Sequence, residues 1–501
     1  MAENKSIYKL ITDNIIDGRL REDFVLPDEE DDDCPVKFAA GARDGMCIYH
    51  IQPYQMTEDD YKLLERSIAA VSNGDFEQTD SLWAELGRTA RAIQVVDEFQ
   101  QYIRDHADEI DVATAYPCIF DIVCRSSNKE SIKFALTIME LLDTEHDFIK
   151  KVVRNIALSD EFTIFAVWIM RGWENGNDEL LELAKKVKGW GRIHIVDLID
   201  PDTDEIREWL LTEGTKNDVV YGYSALTCWE KSGAEEKIRG ELTYKEYQGV
   251  LTLIEALLEE GPVPGISKID NADQKVSSVL SRWDNYDLTA DDYQNISCIR
   301  TSIDSDENYP LSARECDTIL SSDKCINTVN EAVKQGKAIR LAKDLGLEYK
   351  DKLMSSLEND FDSYKSMCDC LMEDERYLER VIDVFRKNIP FEKMMGDPEA
   401  DVEYEDIFKY SLPYRFFIQN LSDHPMKGTD LVINGLKCKD SACRISALMT
   451  IQDWVTNSDT PLSGLSSELY SAVSEMVTAE PNAQAAEMIA ELMSGKTEFS
   501  E

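Results

Sequence analysis

Positive charge is scarce in this sequence, histidine is scarcer still, and long apolar runs are missing. Lysine and arginine total 53 against 98 acids, a formal net charge of −45. A chain so one-sided repels duplex nucleic acid and anionic membrane surfaces, and neither is expected as a partner. No apolar run approaches the ~20 residues a bilayer requires. The longest, 162–170, contains Thr163 and suits a buried helix. The opening Met1-Ala2-Glu3-Asn4-Lys5 begins a polar stretch without the apolar core of a signal peptide, so the expected location is cytoplasmic. Among 12 cysteines there is no CxxC pair, and only Cys368-x-Cys370 and Cys438-x4-Cys443 are close, which favours reduced core thiols over a disulfide framework. The 5 histidines, His50, His106, His146, His194 and His424, lie in separate segments, and no metal site is expected.

What is present is helical. An apolar content of 43% in 501 residues suffices for one or more large cores. Residues 1–60 read as a small appendage. Ile7, Leu10, Ile11 and Ile15 fall at helical spacing and predict a short amphipathic helix ended by Gly18. Pro27 then precedes six consecutive acids, Asp28 to Asp33, expected as a solvated loop. The stretch 37–51 places Asp44-Gly45 between two apolar runs and predicts a hairpin, the one strong strand signal.

From about Thr57 onward the pattern is helical almost without interruption, and between 129 and 231 the segments recur in pairs. First helices are expected at 130–142, 161–173, 191–200 and 219–229, with second helices at 147–157, 178–187 and 204–212 between them. A helix pair repeated every ~30 residues, unable to bury its apolar face alone, is the signature of an α-solenoid. The texture returns near the C-terminus. There 429–437 is followed by Asp440-Ser441-Ala442-Cys443-Arg444-Ile445-Ser446-Ala447-Leu448, which resembles a HEAT-type repeat in its Asp turn, its Arg and its Ala-Leu. Breaks fall at Gly261-Pro262-Val263-Pro264-Gly265 and at the acid-rich 396–401. The expected segments are therefore 1–60, 61–260, 261–395 and 396–501.

The familiar chemical motifs fail at decisive positions. Gly495-Lys496-Thr497 lacks the earlier glycine of a phosphate loop and room for a following helix. Asp304, Asp306, Asn308, Leu311 and Glu315 match a calcium loop except where glycine is required, which is Tyr309 before Pro310, so Ser312 and Glu315 are expected as a helix capping box. No HExxH, GxSxG or haem-thiolate pattern occurs. One constellation stands out from the acidic background: Lys185, Lys186, Lys188, Trp190, Arg192 and His194. Lys188, Trp190, Arg192 and His194 are the candidate ligand-binding residues, a cradle for a small anion. The alternative for the same residues is a helix end with its cationic last turn, Gly189 as C-cap and Trp190 packed between repeats. Trp173, Trp209 and Trp229 read as helical core.

The run Gly189-Trp190-Gly191-Arg192-Ile193-His194, with Glu208-Trp209-Leu210-Leu211-Thr212-Glu213-Gly214 and Tyr223-Ser224-Ala225-Leu226-Thr227-Cys228-Trp229, resembles a family of bacterial, mostly clostridial, proteins labelled limonene hydroxylase. Tyr8-Lys9-Leu10-Ile11-Thr12-Asp13-Asn14 and 260–267 extend the likeness along most of the chain. The resemblance implies an NAD(P)H-linked monooxygenase acting on a monoterpene, and it brings no site residues with it. The residues themselves carry no flavin, haem or nicotinamide signature, so they predict no cofactor. They predict instead an all-α, HEAT/armadillo-like α-solenoid with a small N-terminal helix-plus-hairpin appendage, a cytosolic scaffold whose partner is a protein or peptide of basic character.

Overall fold

Many helix starts are written locally in the sequence. Thr57 with Asp60, Thr243 with Glu246 and Thr289 with Asp292 each form a reciprocal capping box, the threonine hydroxyl on one orphan amide and the carboxylate on another. The computed structural model describes residues 6–27, 38–51, 54–261, 263–304, 306–398 and 407–499, and these are all-α apart from one two-residue hairpin. The acidic loop 28–33, Pro262 and residues 399–406 of the acid-rich segment lie outside the described residues. No helix among them is long and apolar enough to cross a membrane.

The chain divides into two compact units, residues 1–320 and 321–501. The first contains the whole N-terminal segment and the expected break at 261–265. In chain order its helices are α1 (Ile7–Asp13), α2 (Ala42–Tyr49), α3 (Glu58–Ser72), α4 (Phe76–Thr89), α5 (Val96–Asp105), α6 (Val112–Arg125), α7 (Lys129–Met139), α8 (Asp147–Ile156), α9 (Thr163–Arg171), α10 (Gly176–Ala184), α11 (Trp190–Leu198), α12 (Asp204–Thr212), α13 (Gly222–Ser232), α14 (Ala234–Lys237), α15 (Tyr244–Leu258), α16 (Ala272–Leu280), α17 (Ala290–Ser302) and α18 (Pro310–Leu320). The paired segments expected between 129 and 231 are α7 to α13, with ends within a few residues of those read from periodicity.

Packing runs from each pair to the next. Helices α7, α9, α11 and α13 line up in succession, while α8, α10 and α12 pack against them from the intervening positions. The first helices of this row are buried on more than one side: α7 is buried along its whole length after Lys129, and α9 is buried at Thr163, Ile164, Phe165, Ala166, Val167, Ile169 and Met170. That is the solenoid-like arrangement in which a pair completes its core only against its neighbours. Trp173, Trp209 and Trp229 are buried within it, as core.

The appendage differs from its expectation. Helix α1 stops at Asp13, and the strands Ile15–Ile16 and Arg19–Leu20 turn about Asp17 and Gly18, both left-handed. The stretch expected as a hairpin is instead α2. Asp-Gly signals a hairpin when it supplies two left-handed residues, but here left-handed Gly41 precedes the helix and Asp44-Gly45 lies inside it. The expected capping box at Ser312 and Glu315 also gives way: α18 begins at Pro310, and the Ser312 hydroxyl donates to Asp273 Oδ1 at 2.7 Å.

In the second unit the long helix Ser441–Ser458 packs against Leu412–Asn420, Thr429–Leu436 and Ala483–Met493. Asp440 caps it as the sequence implies. Arg444 is buried, with a bidentate pair to Glu480 at 2.7 Å and donations to the carbonyls of Cys438 and Lys439. Arg444→Ala leaves the Glu480 carboxylate buried without its counter-charge, and we expect a loss of about 3–5 kcal/mol. Replacing both residues with apolar side chains should restore most of it. Chemical denaturation of the two variants checks this; equal losses would exclude the pair as the cause.

Candidate functional site

Chemistry-bearing side chains gather at two places in the first unit: beneath α2, and along the turns that join the helix pairs. The four residues expected to cradle an anion belong near the first place but do not share one space. Lys188, in the turn before α11, is exposed and pairs with Glu22 at 3.0 Å. Trp190 opens α11 and is buried against α2, so closely that a β-carbon on Gly45 would overlap its indole. His194, one turn later on the same face, has its ring 6.1 Å from Trp190 and stacks on Tyr49 at 6.4 Å. Arg192, between them in sequence, points elsewhere and lies 5.2 Å over Trp209. The structure thus brings Trp190 and His194 together and engages Lys188 and Arg192 separately.

Burial dominates the electrostatics here. It pushes His194 down to about 4, and the Nε2 atom has no hydrogen-bond partner among the described residues. Burial also lowers Arg192, with Glu213 opposing.

Under the first turns of α2 lies a knot of buried charge that sequence reading did not anticipate. Lys133 of α7 is wholly buried, and its ammonium meets Asp44 at 2.8 Å, Glu130 at 3.1 Å and Glu161 at 2.5 Å. It donates hydrogen bonds to Glu130 and Glu161, whereas Asp44 stands beside it as a counter-charge whose oxygens accept no hydrogen bond among the described residues. Arg91 adds a second cation, 3.0 Å from Glu130 and 3.6 Å from Asp44. Backbone amides complete the set: Ala92 N–H donates to Glu130 at 2.8 Å and Gly41 N–H to Glu161 at 2.9 Å. Three carboxylates therefore share two cations. Burial raises Asp44 to about 6 in spite of Lys133, and Glu130 and Glu161 add to the rise. Glu161 is held below its ordinary value, burial being outweighed by Lys133 and its hydrogen bonds. At the other end of α2, the Tyr49 hydroxyl donates to Asp197, which also accepts from Thr227 at 3.0 Å, while His50 and Tyr223 hydrogen-bond at 2.7 Å.

The second place is a groove of about 830 Å³ across the turns α7–α8, α9–α10 and α11–α12. Glu140, Asp143 and Glu145 line it from the first turn, Glu174 and Asp178 from the second, and Asp200 and Asp202 from the third; Arg171 is its one cation. The turns are tied together. Trp173 Nε1–H donates to Thr144 at 3.0 Å and Glu174 N–H to Glu145 at 2.9 Å. Asn177 then accepts from Asp200 N–H at 3.1 Å and donates to Asp202 at 2.7 Å. Trp168 and Trp173 give the groove an aromatic wall, and Lys150 and Arg154 already sit 5.1 and 5.5 Å over Trp173. Trp173 is buried and its ring is taken by the chain's own cations, but the carboxylates, Glu145 and Asp202 among them tied to a neighbouring turn, can bind cations through charge-assisted hydrogen bonds.

Sequence reading missed the groove because 98 acids mask any seven. Its signal was present as acids recurring in successive turns of the repeat. The knot gave no such signal, since Asp44, Arg91, Lys133 and Glu161 meet only after folding. Compared with known protein families, curated proteins and solved structures, the chain matches none.

The neutral His194 carries a pH dependence. Its pKa falls on folding, so its contribution is complete above about 6.5 and is lost as pH drops from there to about 4. We expect up to about 3 kcal/mol from this source, removed in His194→Leu. Denaturation curves at pH 7 and pH 4.5 check this; an acid limb unchanged in the variant would refute the assignment.

Proposed function

We propose that the protein is a cytosolic helical-repeat scaffold, of HEAT or armadillo character, that holds a basic segment of a partner protein along the turn groove. The observation that carries this reading is the groove itself, seven carboxylates of which Glu145 pairs with Lys150 and Asp200 with Arg171, on turns joined by hydrogen bonds. A partner rich in arginine supplies planar guanidinium groups, which bridge carboxylates bidentately and stack on indole. The overall charge of −45 adds long-range attraction and speeds encounter.

The test is fluorescence anisotropy with a labelled arginine-rich dodecapeptide and a length-matched acidic control. We expect binding of the basic peptide only, weakening steadily as salt rises. Glu174→Gln, Asp178→Asn, Asp200→Asn and Asp202→Asn combined should weaken it at least ~10-fold. An unchanged affinity in that variant would remove the groove from the account, leaving only nonspecific attraction.

A second reading follows the family resemblance. Beside α3, α5, α6 and α7 lies a smaller cavity of about 220 Å³, lined chiefly by aliphatic side chains such as Ile68, Val71, Ile103, Ile119 and Ile138. An apolar cavity of this kind takes a small hydrocarbon without hydrogen bonds, and a monoterpene is of that class. The described residues offer no strand-to-helix glycine turn for a dinucleotide, so no step is routed through NAD(P)H. We expect limonene to raise the melting temperature in wild type and to fail in Ile119→Trp, which fills the cavity. No shift in wild type would set the second reading aside.

A further inference from the structure

We propose that α2 is a removable, intramolecular ligand of the helix row, and that the seat beneath it accepts in trans a helical segment of the same chemistry: a carboxylate, a glycine beside it and a phenol five residues after the carboxylate. The proposal rests on how α2 is held and on what the seat retains without it. Helix α2 has eight residues. Helices that short are marginal in water, so α2 is helical because it is bound. It is held chiefly by side chains reaching away from its own neighbourhood: Asp44 to Lys133, Gly45 against Trp190, Tyr49 to Asp197 and His50 to Tyr223. A few anchors set into an otherwise complete surface is how a peptide sits on a repeat protein.

Three of the four anchors leave a partner that keeps another contact. Without Asp44, the knot keeps Lys133 and Arg91 against Glu130 and Glu161, two cations with two carboxylates. Asp44 is thus the surplus charge, and the burial that raises its pKa marks the strain of bringing a third carboxylate into the same pocket. Without Tyr49, Asp197 keeps the Thr227 hydroxyl. Without Gly45, Trp190 keeps Tyr223, whose ring lies 5.0 Å away. The row is electrostatically complete on its own, and α2 closes over it as an added piece. A trans occupant must bring the same groups: the carboxylate for the Lys133 end, the phenol for Asp197, and no side chain where Trp190 lies against the helix.

Hydrogen exchange on the wild-type protein gives the first test. The amides of residues 46–50 should exchange through a local opening, at least ~100-fold faster than those in α7 and α9 and with little dependence on denaturant. Exchange of α2 only together with α7 and α9 would overturn the proposal without any variant. The second test uses the full chain carrying Asp44→Ala and Tyr49→Ala, which empties the anchors. A labelled peptide of residues 38–51 should bind this variant one to one and bind wild type at least tenfold more weakly. The same peptide with Gly45→Val should bind neither. A folded variant that ignores the peptide would overturn the trans site.

Discussion

In the first unit no helix pair closes its own core. Helices α7 and α9 are buried on nearly every side, which is possible only because each is roofed by the pairs before and after it. This dependence on the neighbour decides where everything else goes. Apolar residues occupy the helices throughout, so the large excess of acid has to collect in the turns, on exposed faces, or, at a cost, inside.

The turns show the first outcome. In a stacked array, turns at one end of successive pairs come side by side, and residues that are ~30 apart in sequence become neighbours. Acids placed there for solubility then form a continuous edge. Hydrogen bonds run from one turn to the next along that edge, through Glu145, Asn177 and Asp202, and hold the Glu145 and Asp202 carboxylates in place. A side chain already held by a hydrogen bond has less conformational entropy to lose on binding than a free one.

The sequence carried the helix row legibly. Asp204 to Thr212 appears with the bounds its pattern implies, and Asp147 to Ile156 differs at one end by a single residue, because period and caps agree there. It carried the α2 segment badly. Asp44-Gly45 has two physical uses, a left-handed turn or a close approach, and local pattern cannot choose between them. The choice is made by Trp190, some 145 positions later, whose ring needs the space a β-carbon would take. The candidate cradle failed for a related reason. Trp190, Arg192 and His194 are close in sequence, but a helical step of two residues turns Arg192 away from the face that Trp190 and His194 share, toward Trp209. Proximity along the chain does not imply convergence in space.

The buried charges show the remaining outcome. Removing charge from water is expensive, and a knot of this type is poor evidence for stability as such, since apolar residues of equal volume often do better. What it provides is register. Glu130 and Lys133 come from α7, Glu161 from the turn into α9, Arg91 from the segment after α4, and Asp44 from α2. The observed placement of these segments gives the Lys133 ammonium the Glu130 and Glu161 carboxylates as acceptors and leaves the Ala92 and Gly41 amides satisfied. An apolar contact tolerates sliding by an ångström, whereas a buried ammonium with a lost acceptor does not. Lys133 therefore joins α7 to the turn into α9 through Glu161, with Asp44 of α2 as a further counter-charge.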